Sequence, residues 1–121
     1  MADQDIVLSV KFYQTDSGKE PVRDWLRTLT SEQRKSIGED IKAVQFGWPL
    51  GMPLVRKLEP DLWEVRSFLP QGIARLLFTV LGRHMVLLHG LIKKSQKTPQ
   101  SDLDTARRRL RHAQQEDEDY E

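Results

Sequence analysis

The stretch from Leu54 to Pro99 constrains the fold most, because short apolar runs alternate there with residues typical of tight turns. The turn signals are EPD at 59–61, LPQG at 69–72 and GR at 82–83. Gly82, at the first loop position, favours a type II′ hairpin between the last two runs. The stretch therefore predicts three or four antiparallel strands, drawn from residues 54–58, 62–68, 73–81 and 85–92.

The same stretch is basic. Between residues 54 and 97, eight basic side chains stand against three acidic ones, a local balance of +5 on a chain whose net charge is +1. The excess is hidden because five of the eighteen acidic residues lie in the last six positions. A surface of this charge indicates an anionic ligand.

The elements on either side complete an α+β order. Alternating residues 6–13 predict a strand, and Pro21 begins a short amphipathic helix over 21–29. Thr30 or Ser31 as N-cap, with Gln33 three residues after Thr30, begins a second helix that ends near residue 47. Thr98 as N-cap and Pro99 as first helical residue begin the last helix. We predict an N-terminal strand, a helical hairpin on one face of the sheet, the antiparallel strands and a C-terminal helix.

The length of 121 residues predicts one domain. We place it at residues 1–113, and we expect the acidic residues 114–121 to form a disordered tail. The chain has no cysteine, no apolar run long enough for a bilayer and no secretory signal, so we expect a soluble, cytoplasmic protein. Phosphate loops and the common metal-binding motifs are also missing, so we expect neither a metal nor a cofactor.

Two arginines on neighbouring predicted strands are the strongest candidates for a site. A two-residue turn at 70–71 would place Arg66 directly opposite Arg75, whereas a bulged turn at Gly72 would place Arg75 opposite Ser67. Opposed like charges destabilise a sheet, so a bound anion between the guanidinium groups would explain the first register. The alternative is that both arginines are solvated or pair with Glu64.

The other candidate site residues can also be explained by structural roles. Lys57 belongs to the same strand system, and Lys93 and Lys94 at the end of the last strand could add charge or only protect a sheet edge. His89 lies in a leucine-rich strand, where it could be a core side chain or a general acid or base. The three tryptophans fit a core best, although one could stack on a nucleobase.

Three segments resemble the RelE/HigB toxin superfamily, in particular its phage-derived branch. They are LEPDLWEVR at 58–66, RLLF at 75–78 and HGLIKKSQKTP at 89–99, where the branch has patterns like KLxxxLWELR, RxxF and HGFxKKTxKTP. Residues 12–26 are similar to the start of that branch. The resemblance covers about residues 10–110. Ser95 stands where threonine is common, and the acidic tail lies outside the pattern.

The resemblance implies the toxin of a type II toxin–antitoxin pair, a metal-independent endoribonuclease that cuts mRNA on the ribosome. It also implies a helix-turn-helix antitoxin as partner, with operator DNA contacted only through that antitoxin. On this reading the catalytic candidates are Arg66, Arg75, Lys57, Lys93, Glu64 and His89, and the RNA-binding candidates are Arg56, Lys94 and Lys97. Two alternatives stay open: a gyrase-type poison of the same superfamily, and a non-catalytic module that binds RNA or protein.

Overall fold

A computed structural model describes residues 6–119 of the chain. Its elements are β1 (Ser9–Phe12), α1 (Pro21–Arg27), α2 (Ser31–Gly47), β2 (Val55–Glu59), β3 (Leu62–Leu69), β4 (Gly72–Leu81), β5 (His84–Lys93) and α3 (Gln100–Asp119). The five strands form one sheet in the order β1-β5-β4-β3-β2. The order of elements and the α+β class are as predicted.

The sheet is mixed rather than antiparallel. Strands β2 to β5 pair antiparallel, and the first strand joins the open edge of β5 in parallel, with Ser9 beside His84 and Phe12 beside Leu87. The N-terminal strand was predicted, but the prediction of a three- or four-stranded antiparallel sheet missed that this strand joins the sheet as a fifth, parallel member. Alternation of apolar residues reveals a half-buried strand, but it carries no information about the direction of pairing.

The first two helices cover one face of the sheet. The predicted capping box is present, since the Thr30 side chain accepts from the Gln33 amide and the Gln33 side chain accepts from the Thr30 amide. Both helices bury apolar residues in one cluster with Val65, Leu76 and Phe78. As predicted, both helices lie on one face of the sheet; α1 packs mainly on β5 and α2 mainly on β3.

The last helix covers the other face, where Ala106 and Leu110 pack with Leu77 and Leu88. It continues to Asp119, so the part of the predicted tail from 114 to 119 is helical. One reason is the side-chain contact one turn apart between His112 Nε2 and Glu116 Oε1, at 2.9 Å. The prediction for residues 120 and 121 lies outside the described residues. Within residues 6–119, no helix has the length and apolar character needed to span a bilayer.

Candidate functional site

The register places the two arginines side by side. Leu69 pairs with Gly72, which leaves a two-residue turn at 70–71 and sets Arg66 opposite Arg75. The alternative of a bulged turn at Gly72 was therefore wrong. Val65 and Leu76, the chain neighbours of Arg66 and Arg75, lie in the cluster under α1 and α2. Because successive residues of a strand point to opposite faces, both arginine side chains point to the face that α3 covers.

The pair is buried rather than solvated. The relative exposure of Arg75 is 0% and that of Arg66 is 6%. Glu64, also at 0%, lies close to both: its carboxylate oxygens are 3.8 Å from Arg66 Nε and 3.8 Å from Arg75 Nε. Both distances are too long for a hydrogen bond. We call Glu64, Arg66 and Arg75 the buried charge cluster.

A short segment closes the cluster from outside. Residues 94–97, here called the cover loop, join β5 to the start of α3. Arg66 Nη2 donates to Gln96 Oε1 at 3.0 Å, and Arg75 Nη2 donates to the carbonyl oxygen of Ser95. Thr98 Oγ1, just after the loop, donates to Glu64 Oε1 at 2.7 Å. Two oxygens of one exposed loop therefore occupy the acceptor positions that phosphate oxygens would take.

The hydrogen bonding of the cluster is incomplete. Among the described residues, Arg66 Nε, Arg75 Nε, Arg75 Nη1 and Glu64 Oε2 have no hydrogen-bond partner. Burial lowers the pKa of Arg75, the Glu64 carboxylate opposes that shift, and the charge of Arg66 lowers the pKa further. Two guanidinium groups face one carboxylate, so one positive charge is left without a close counterion. Buried charge without full pairing destabilises a fold, and a bound anion would supply both the charge and the acceptors.

The remaining cations divide between the two faces. Arg56 is half-buried and pairs across the strands with Glu64, on the face of the cluster. Lys93, Lys94 and Lys97 are exposed at the end of β5 and along the cover loop. Lys57 lies on the opposite face, where its ammonium sits 5.7 Å from the centre of the Trp63 ring. The structure therefore separates Lys57 from the other predicted site residues.

His89 has both ring nitrogens occupied. Its Nε2 lies 2.6 Å from Asp102 Oδ1, and its Nδ1 lies 3.4 Å from Arg109 Nη1, which also donates to the Leu88 carbonyl at 2.8 Å. These contacts fix the ring between β5 and α3. The arrangement suits a structural histidine better than a general acid or base, which needs a nitrogen facing the substrate.

A surface cavity of about 380 Å³ lies next to the cluster, between β2 and the start of α3. Arg56, Lys97 and Thr98 line it, and Arg107 lies at its wall, held by Glu59 through bonds of 2.8 and 2.9 Å. The Arg107 hydrogen bond lowers the pKa of Glu59, and burial opposes that shift. The cavity gives a basic approach to the cluster that is large enough for a small ligand.

Three site residues were missed or misread from the sequence. Thr98 was predicted as a helix N-cap, but α3 begins at Gln100 and the Thr98 hydroxyl serves Glu64. Gln96 and Phe68 were not singled out. The ring of Phe68 is 63% exposed, and the Arg66 guanidinium lies 5.5 Å from its centre. Its position two residues after Arg66 on one strand was the available signal.

A different cluster has the composition of a metal site. Ligand atoms of Asp16, His112 and Glu116 lie within 4.8 Å of one another. His112 Nε2 is 2.9 Å from both carboxylates, and its Nδ1 is 2.6 Å from the Tyr13 hydroxyl. Hydrogen bonds through His112 account for this cluster, which ties the C-terminal half of α3 to the segment after β1. The buried charge cluster, with one carboxylate between two arginines, is not a cation site.

The fold and the site define an α+β protein with a buried arginine pair under a basic loop. Residues 24–111 match the family described as Phage derived protein Gp49-like (DUF891). The chain therefore belongs to the Gp49-like family, which is part of the RelE/HigB-like toxin superfamily. The matched residues include the whole sheet except β1, together with the cluster and the cover loop. A search of curated proteins gives no match to this chain.

Proposed function

We propose that this protein is the toxin of a type II toxin–antitoxin system, of the HigB-like kind, and that it cleaves mRNA at the ribosome without a metal. The observation that carries the proposal is the buried cross-strand pair of Arg66 and Arg75, with guanidinium nitrogens that have no hydrogen-bond partner among residues 6–119. Membership of a toxin superfamily supplies the biological setting.

In the proposed reaction, a base removes the 2′-hydroxyl proton and the 2′-oxygen attacks the adjacent phosphorus. The bond to the 5′-oxygen breaks, that oxygen receives a proton, and the products carry a 2′,3′-cyclic phosphate and a 5′-hydroxyl. Charge develops on the phosphoryl oxygens, where Arg66 and Arg75 would stabilise it. Ribosome-bound mRNA would arrive already oriented, which lowers the entropic part of the barrier.

Access requires the cover loop to move. The phosphate would replace the Ser95 carbonyl and the Gln96 amide oxygen as acceptor for the arginines. Arg56, Lys94 and Lys97 would hold the flanking phosphates. Because both nitrogens of His89 are engaged, the candidates for proton transfer are Glu64, whose Oε2 lacks a donor in the described chain, and Lys93 at the rim.

The proposed partners follow from this reaction. The protein would act on the ribosome and its mRNA in the cytoplasm, and thereby inhibit translation. A helix-turn-helix antitoxin would neutralise it and would make the only contact with operator DNA.

The experiment is induced expression in bacteria of the wild type and of an Arg66→Gln/Arg75→Lys variant. Lys42→Ala is the matched control, because Lys42 is an exposed cation on α2, on the other face of the sheet. Growth and mRNA ends are scored, the ends by primer extension and by their need for phosphorylation before ligation. Circular dichroism of the purified proteins establishes that the variants are folded.

We expect in-frame cuts with 5′-hydroxyl ends for the wild type and the control, and their loss in the double variant. Growth arrest with intact mRNA would replace the proposal by the gyrase-type poison. No arrest at all would favour the non-catalytic binding module.

A further inference from the structure

Phe68 is an exposed aromatic side chain on the face of the buried charge cluster. Few large apolar side chains in the described residues are this open to solvent; the others are Ile6, Val7 and Met52, none of them aromatic. The β2–β3 ladder ends at Val65. Phe68 therefore lies in a part of β3 that is paired with a neighbouring strand on one edge only. No packing requirement of the fold explains a phenylalanine at 63% exposure.

The ring is joined to the cluster by Arg66. Residues 64, 66 and 68 alternate onto one face of β3, and the Arg66 guanidinium lies 5.5 Å from the centre of the Phe68 ring. One contact of the ring is therefore made to a cation of the site, and most of its remaining surface faces solvent. In a nucleic acid each base is connected through its sugar to a phosphate. A phosphate bound at Arg66 would thus bring a base within reach of the ring.

We propose that Phe68 is a stacking platform for a nucleobase next to the phosphate held by Arg66 and Arg75, and that it contributes to the choice of cleavage site. The inference rests on the proposed ribonuclease function. Aromatic side chains bind unpaired bases by stacking, and sequence preferences at such platforms arise from differences in stacking strength. The basic cover loop, which contacts Arg66 through Gln96, would hold the same strand through its phosphates.

The test uses Phe68→Leu, Phe68→Tyr and Phe68→Trp in a reconstituted bacterial translation system with a defined mRNA. Leucine keeps an apolar side chain without a π face, whereas tyrosine and tryptophan keep the stacking surface. Ile6→Ala is the control, because Ile6 is 53% exposed and lies before β1, beside the turn at Gly82. Thermal unfolding establishes that each variant is folded.

We expect Phe68→Leu to cut about tenfold more slowly at limiting protein, the size expected for one base–aromatic stack. Its distribution over cleavage sites should be flatter, while tyrosine and tryptophan restore the rate and the control matches the wild type. If Phe68→Leu cleaved at the wild-type rate and with the wild-type distribution of sites, the stacking role would be overturned and the proposed ribonuclease function would stand. Absence of cleavage by the wild type would overturn the proposed function and this inference with it.

Discussion

The two faces of strands β3 and β4 differ in what they bury. Towards α1 and α2, the face carries Val65, Ala74 and Leu76, each about 1% exposed and packed in an apolar cluster. Towards α3, the adjacent positions carry Glu64, Arg66 and Arg75, which are also buried. The same two strands thus provide an apolar core and a buried set of charges.

The apolar face and the charged face of these strands contribute differently to stability. Apolar burial stabilises a fold in proportion to the area removed from water. Buried charges lose hydration, and only complete pairing offsets the free energy of that loss. Arg107, which is about a third exposed, is fully paired, with bonds to Glu59 from Nε and Nη2. Arg66 and Arg75 are not, since three of their nitrogens have no partner in the described part of the chain. The α3 side of the sheet therefore carries charges whose burial is only partly compensated within the described residues.

The largest expected effect comes from removing the one carboxylate of the cluster. Glu64→Ala leaves two buried guanidinium groups without a counterion and should lower the free energy of unfolding by about 3–5 kcal/mol. Val65→Ala, one residue away on the apolar face, should lower it by about 2 kcal/mol. Urea denaturation measures both. If Glu64→Ala lowered the free energy of unfolding less than Val65→Ala does, then Glu64 would not be needed to offset the buried charges of Arg66 and Arg75.

An intermediate effect is expected on the apolar face, at Gly90. A Cβ atom there would lie 2.4 Å from the Trp25 ring, closer than any real contact, because α1 packs directly on β5. Gly90→Ala should lower the free energy of unfolding by about 1–3 kcal/mol. Adding Trp25→Leu should recover part of that loss by making room. Equal stability of Gly90→Ala and wild type would show that α1 packs less closely on β5 than described.

The smallest effect concerns the completely paired arginine, Arg107. Its hydrogen bond lowers the pKa of Glu59, so this pair contributes stability above the unfolded pKa of about 4.3 and loses it as the pH falls through the folded pKa. The difference in stability between wild type and Glu59→Gln should therefore be full at neutral pH and shrink in acid. Denaturation at several pH values measures it. A difference that grows in acid would contradict the assigned pairing.

Much of this fold could be predicted from local pattern. The hairpin at 82–83 and the capping box at Thr30 each depend on a few adjacent residues, whereas the residues at 69–72 left two turn geometries open. The parallel pairing of β1 depends on contacts distant in sequence, and it was missed. The helical state of residues 114–119 was also missed, because runs of like charge usually disfavour order.

The site was predicted in part. The sequence left two registers open for Arg66 and Arg75, and the structure has the one that sets them side by side. The sequence did not reveal that the cover loop closes over them. Lys57 was assigned to the site because it belongs to the same strand system, yet its strand position turns it to the other face. A shift of one position in a strand reverses the face, so assignments made by neighbourhood in sequence fail there.

The most direct test of the account replaces the buried charge cluster by apolar side chains, as Glu64→Leu/Arg66→Met/Arg75→Met. Exchanging buried ion pairs for apolar residues of similar volume is often neutral or stabilising by about 1–4 kcal/mol. We predict a free energy of unfolding equal to or above that of the wild type, together with complete loss of mRNA cleavage. A variant that is several kcal/mol less stable but still cleaves mRNA would show that the cluster serves the fold and not the reaction.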